Sequence, residues 1–186
     1  MKMQPLLLQA GLLALLATAG CSSDTSHMKS DWERANEGRF IRDDGTRDVV
    51  LPAYPQSGEL VAFTVTGVND FAFFVDPASV SVARDGVVRY TVVARSPSGA
   101  ENVNYEGLNC KASEYALYAI GLPGERWRMS SGAWRPIERG RWQETLADQY
   151  FCPNGIPVSS AAEGVDALRR GGHPWARSKD AGVIGR

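Results

Sequence analysis

Few side chains in this sequence have the type and spacing to do chemistry. The only histidines, His27 and His173, fall in segments expected to be tails. Any serine or cysteine nucleophile inside the domain is therefore left without an imidazole base, and zinc without a ligand set. No glycine-rich loop follows a strand signal to cradle a phosphate. Carboxylates are the remaining acid–base candidates. Asp76, Glu101 and Glu106 are available as an acid and a base for cleaving a glycan. Each also has a plainer reading: Asp76 before Pro77 fits a turn starter, and the other two fit solvated strand positions. The second cluster lies between Glu125 and Trp142, where Arg126, Arg128, Arg135, Arg139 and Arg141 outnumber Glu125 and Glu138, with Trp127, Trp134 and Trp142 interleaved. Flat aromatic faces beside guanidinium forks suit a glycan, a peptidoglycan carboxylate or a lipid phosphate. Arg126, Trp127, Arg128, Trp134 and Arg135 are thus the candidate ligand-binding residues. The competing reading has Trp127 and Trp134 plugging the end of a sheet while the arginines stack over them and face water.

Cysteine usage bears on compartment. Lys2 and the leucine-rich run that follows form a positive start and a short apolar core, ending in Ala17, Thr18, Ala19 and Gly20. The apolar stretch from Pro5 to Ala19 is fifteen residues, shorter than the roughly 20 that span a bilayer. Gly20-Cys21 resembles the lipobox of bacterial lipoproteins, whose cysteine is alkylated by a diacylglycerol and acylated at its new amino terminus. Ala17-Thr18-Ala19 also fits the ordinary signal peptidase. The three cysteines, Cys21, Cys110 and Cys152, favour the first reading, because ordinary cleavage leaves one thiol unpaired in an oxidising compartment. By resemblance to the sorting rule of enterobacterial lipoproteins, Ser22 after the cysteine places the protein on the periplasmic face of the outer membrane, held through its N-terminal lipid. Cys110 and Cys152 are then expected to form a bridge. Closing a loop of roughly 43 residues stabilises by up to about 4 kcal/mol. A redox or metal role has no C-x-x-C spacing behind it.

The elements that must position these residues are legible along the chain. From 21 to 48 the sequence is polar and aperiodic, a tether that, if flexible, spans roughly 30 Å. Strand signals follow: Val61, Phe63 and Val65 alternate with small polar residues, and Phe71 to Val75 is nearly all apolar. Asp85-Gly86 predicts a hairpin through a type I′ turn, with positive φ at both centres. Ser96-Pro97-Ser98-Gly99 predicts a second turn. Asn102, Asn104 and Glu106 alternate with Val103, Tyr105 and Gly107, a strand with one wet face, and Glu114 to Ile120 is a better-buried strand. Trp142, Leu146 and Tyr150 share one face of a helix over 140–151, stopped by Pro153-Asn154-Gly155. Ser160-Ala161-Ala162-Glu163 matches a capping box, and Gly171-Gly172 closes a second short helix. The reading is an α+β fold: a mostly antiparallel meander sheet with one or two C-terminal helices and one disulfide. The predicted divisions are 1–20 signal peptide, 21–48 tether, 49–155 globular domain, and 156–186 short helix and loose tail.

Composition excludes some classes. At 44% hydrophobic and 22% charged residues the chain is in the globular range, and 20 Lys and Arg against 21 Asp and Glu leave no electrostatic footprint for nucleic acid. Taken as a set, Phe74-Val75-Asp76, Asp85-Gly86-Val87-Val88-Arg89-Tyr90, Ser98-Gly99-Ala100-Glu101-Asn102-Val103, Tyr105-Glu106-Gly107 with Cys110, and Tyr150-Phe151-Cys152 resemble the cryptic-neisserial-protein-one-like family of proteobacterial envelope proteins. The resemblance covers about 51–155. It implies an exported protein of that kind and carries over no catalytic or binding residue. The expected function is a lipid-anchored envelope module that binds or supports without catalysis, with peptidoglycan, lipid phosphate or another envelope protein as partner. No cofactor and no metal are implied. The alternative is a carboxylate-based hydrolase of envelope glycans.

Overall fold

The computed structural model describes residues 40–43, 47–68 and 70–176. The span read as signal peptide, Cys21 with the lipidation expected of it, most of the 21–48 span read as tether, and residues beyond 176 lie outside the described residues. Across the end of the span read as tether and into the domain, β1 (Phe40–Asp43) and β2 (Arg47–Val50) pair antiparallel.

Local chemistry sets the main sheet. The hairpin joining β4 (Ala72–Val82) to β5 (Val87–Arg95) turns where Asp85-Gly86 predicted, by a different geometry. Only Gly86 takes positive φ, at 76°. Its N–H donates to the Ala83 carbonyl at 3.0 Å, so Arg84 and Asp85 are the central residues and the left-handed glycine follows them. The type I′ expectation is corrected: Asp85 keeps ordinary negative φ, and its carboxylate accepts from Val87 N–H at 2.9 Å and pairs with Arg89 at 2.6 Å. The second turn forms as expected, with Gly99 N–H donating to the Ser96 carbonyl at 2.9 Å before β6 (Glu101–Asn109) begins. The apolar run ending at Val75 and the arm leading into Asp85-Gly86 belong to one strand, with a bulge between Asp76 and Ser81. Pro77 has no N–H to offer the ladder, and side chains substitute: Asp76 Oδ1 accepts from Ala78 N–H, while Ser79 Oγ donates to the Asp76 carbonyl and accepts from Thr91 N–H.

Among the described residues, seven strands form one antiparallel sheet in the order β3 (Val61–Phe63), β4, β5, β6, β7 (Glu114–Leu122), β8 (Arg126–Met129), with β9 (Trp134–Pro136) also on the outer edge of β7. The strand β5 is buried from Val87 to Ala94, as a central strand covered on both faces must be. Val88, Tyr90, Val92 and Ala94 face the C-terminal helices. On the other face Tyr105, Ala116, Tyr118 and Ala119 pack under Val49 and Leu51.

Helix α1 (Trp142–Leu146) runs into a π turn over Ala147–Phe151, where the sequence predicted one α-helix. Cys152 N–H reaches back five residues to the Ala147 carbonyl at 2.8 Å. The wider turn lets Tyr150 and Phe151 both enter the core and brings Cys152 to Cys110, with the bridge formed at a Cα separation of 5.3 Å. The α+β meander, its C-terminal helices and the Cys110–Cys152 disulfide are thus all present. Ser160 caps α2 (Ala161–Arg169), accepting from Glu163 N–H at 3.2 Å, and the Glu163 carboxylate accepts from Ser159 N–H and Oγ–H at 2.7 and 2.6 Å. His173, read from sequence as the start of a loose tail, is buried: its N–H donates to the Gln149 carbonyl at 2.7 Å and its Nε2 lies 2.9 Å from Glu163 Oε1. Gly171-Gly172 breaks the helix and lets the chain fold back onto the π turn.

Candidate functional site

The sequence placed Glu106 on a wet strand face. The structure corrects this: α1 docks over β6, and Glu106 is 1% exposed. Four side chains donate to its carboxylate. Tyr90 O–H and Trp142 Nε1–H reach Oε2 at 2.9 and 3.0 Å, Asn104 Nδ2–H reaches Oε1 at 3.2 Å, and Gln143 Nε2–H lies 3.2 and 3.1 Å from the two oxygens. Burial pushes the carboxyl above the usual range, and the four donors oppose that shift. Burial, with Glu106 beside it, pushes the Tyr90 hydroxyl well up in turn.

The other two carboxylates lie elsewhere. Register pairs Asp76 with Thr91 and Glu101 with Arg95, whereas Glu106 pairs with Tyr90. Alternation along β5 therefore puts Asp76 and Glu101 on the sheet face away from α1, opposite Glu106. Asp76 is buried in its bulge, where burial raises its carboxyl against the Ala78 N–H bond. Glu101 is an exposed partner of Arg95 at 2.7 Å. None of the three forms an acid–base pair across a common space.

Above Glu106 is a cleft of about 310 Å³ between β6, β7, β9 and the start of α1, with Arg135, Glu138 and Arg141 at its rim. Arg141 Nε and Glu138 are 3.4 Å apart, with side chains 63% and 72% exposed. Such a pair contributes about 0–1 kcal/mol and yields readily to a better anion. Trp142 forms one wall, its indole ring fixed by the bond to Glu106.

The sequence-predicted binding residues divide between the two faces. Trp127 on β8 packs on Tyr54 and Tyr105, at centroid distances of 5.1 and 6.4 Å, and its Nε1–H donates to the Pro52 carbonyl at 3.1 Å. Trp134 on β9 meets Tyr118 edge-on at 6.4 Å. Both tryptophans are half-buried against the core of the non-helical face. Arg126 and Arg128 are exposed on β8. Arg135, next to Trp134 in sequence, lines the cleft. Asn104 and Gln143 were missed by sequence reasoning. Gln143 is buried in the fold, and its place in a helix of mixed polarity, WQETLADQYF, carries no local sign of that burial. Among the described residues, no group of three His, Cys, Asp or Glu is placed to hold a metal ion.

The CNP1-like family profile matches residues 45–169, from the end of the span read as tether through α2. The chain belongs to the CNP1-like family. Its similarity to the cryptic neisserial protein 1 of Neisseria gonorrhoeae (strain ATCC 700825 / FA 1090) is 24% identity over 162 residues, covering 76% of this chain and 80% of that protein. No solved structure matches the chain. The region matched in this CNP1-like protein contains the whole sheet, the disulfide, Glu106 with its four donors, and the cleft.

Proposed function

We propose that this CNP1-like protein is a lipid-anchored module of the bacterial cell envelope, facing the periplasm from the outer membrane, that binds an oxyanion-bearing envelope component in the cleft above Glu106 without transforming it. One observation carries the non-catalytic reading: the Glu106 carboxylate is occupied by Tyr90, Asn104, Trp142 and Gln143 and fixes the floor of the cleft. A base needs a lone pair directed at substrate, and these are directed at the protein. Asp76 and Glu101, on the opposite face, give the hydrolase alternative no support. Arg135 and Arg141 supply the forked donors that suit a carboxylate or phosphate.

The anchor reading rests on Lys2, the short leucine-rich core and Gly20-Cys21. It predicts a mature protein with acyl mass on residue 21, lost in Cys21→Ser. An unacylated protein cleaved at the same bond contradicts it. For the cleft, calorimetric titration of the full chain with acetate and with inorganic phosphate should give weak saturable binding that disappears in an Arg135→Ala, Arg141→Ala double variant. Binding unchanged by both substitutions would sink the reading.

A further inference from the structure

Trp142 has a second cavity on its other side. This one, about 240 Å³, is lined mainly by Val65, Val68, Phe71 and Phe73, with Asn102 as a polar member and Arg141 and Trp142 shared between it and the polar cleft. Phe73 stacks obliquely on Trp142 at 5.9 Å, and Phe71 on Phe73 at 6.3 Å. Phe71 is 41% exposed although it continues this apolar row. A single residue pair therefore separates a space that prefers hydrocarbon from one that prefers an anion. The volume matches about eight waters or a similar number of methylene groups.

Resting on the binding reading above, we infer that the site takes an amphipathic anion: an alkyl chain lies along Phe71, Phe73 and Val68, and its carboxylate or phosphate head turns over Trp142 onto Arg141 and Arg135. Charge complementarity selects the head. The exposed Glu138 partner of Arg141 is exchanged at little cost, and Glu106 below is already saturated. The apolar row selects the chain, because each methylene removed from water adds about fourfold in affinity. A free fatty acid and a lipid phosphate share this chemistry, and probes with each head separate them.

The test is calorimetric titration of the full chain with acetate, octanoate, octyl phosphate and octanol. Octanoate or octyl phosphate should bind at least tenfold more tightly than acetate or octanol, and the better of the two names the head group. Val68→Trp, which fills the apolar cavity, should abolish the gain from the chain while leaving acetate binding intact. Phe71→Ser, at a half-exposed position, should reduce it severalfold and covers the case in which Val68→Trp does not fold. Arg141→Ala should bring octanoate down to the level of octanol. Octanoate binding no tighter than acetate, with acetate still sensitive to Arg135 and Arg141, overturns this inference and leaves the oxyanion cleft standing. Failure of every anion to bind removes both.

Discussion

Replacing Glu106 by alanine strips an acceptor from four donors at once, of which the Tyr90 hydroxyl has no route to water and Gln143 meets it only through the cleft. Tyr90 and Gln143 are both buried, and their bonds to Glu106 at 2.9 and 3.1 Å have no substitute. A buried donor left unsatisfied costs about 1–3 kcal/mol, so the loss runs from Tyr90 alone to both together, about 1–6 kcal/mol. A domain of this size is stable by only about 5–15 kcal/mol, and its melting midpoint should fall by several degrees or more. Glu106→Gln keeps one acceptor oxygen and can reorient against the Tyr90 hydroxyl, so it should cost less than half as much. Burial raises the Glu106 carboxyl above its ordinary value of 4.5, so the folded state holds the proton more tightly than the unfolded state. This group's contribution to stability is therefore largest at low pH and declines as pH rises from about 4.5 through its folded value, a slope that Glu106→Gln should flatten. The assay is urea unfolding followed by tryptophan fluorescence between pH 4 and 8. A Glu106→Ala cost below about 0.5 kcal/mol would refute the account of a closed hydrogen-bonded node.

Three further perturbations follow from the packing. A Cβ at Gly121 would stand 2.6 Å from Val103 Cβ, which is fixed to its strand, so Gly121→Ala should cost about 1–3 kcal/mol; an unchanged denaturation midpoint contradicts the contact. Reducing the Cys110–Cys152 bridge, or replacing both cysteines by serine, should lower stability by up to about 4 kcal/mol, measured by urea unfolding with and without reductant. The Ser159 hydroxyl and then His173 hold the Glu163 carboxyl down at about 2. Its stabilisation is present above the unfolded value near 4.5 and lost as pH falls towards 2, so wild-type melting should drop more steeply across that window than Glu163→Gln; parallel slopes would remove the clasp from the account.

Much of the fold was legible because its signals are local. Gly99 closes a turn within four residues, Ser160 caps the helix it precedes, and Trp142, Leu146 and Tyr150 share a face over two turns. The parts that were not legible depend on distant partners. Glu106 is enclosed by residues 16, 36 and 37 positions away, and nothing in its own strand's alternation distinguishes burial under a helix from exposure. The Arg/Trp run has the look of one patch in sequence because its members are neighbours along the chain. Strand geometry sends Trp134 and Arg135 to opposite faces, so only the arginine reaches the cleft. His173 follows a Gly-Gly break that reads as an exit, yet its partner Glu163 lies back in the helix.

The measurement that bears most directly on the central claim is a nuclear magnetic resonance titration of the full chain with inorganic phosphate. It would follow the Arg135 and Arg141 Nε–H signals, the Trp142 indole N–H and the Glu106 carboxyl carbon. The account predicts that both arginine signals shift saturably while the Glu106 carbon and the indole N–H stay in place, the floor unchanged beneath an anion bound at the rim. Movement of the Glu106 carbon with still arginines would mean that the buried carboxylate, not the rim, meets the ligand, and would contradict it.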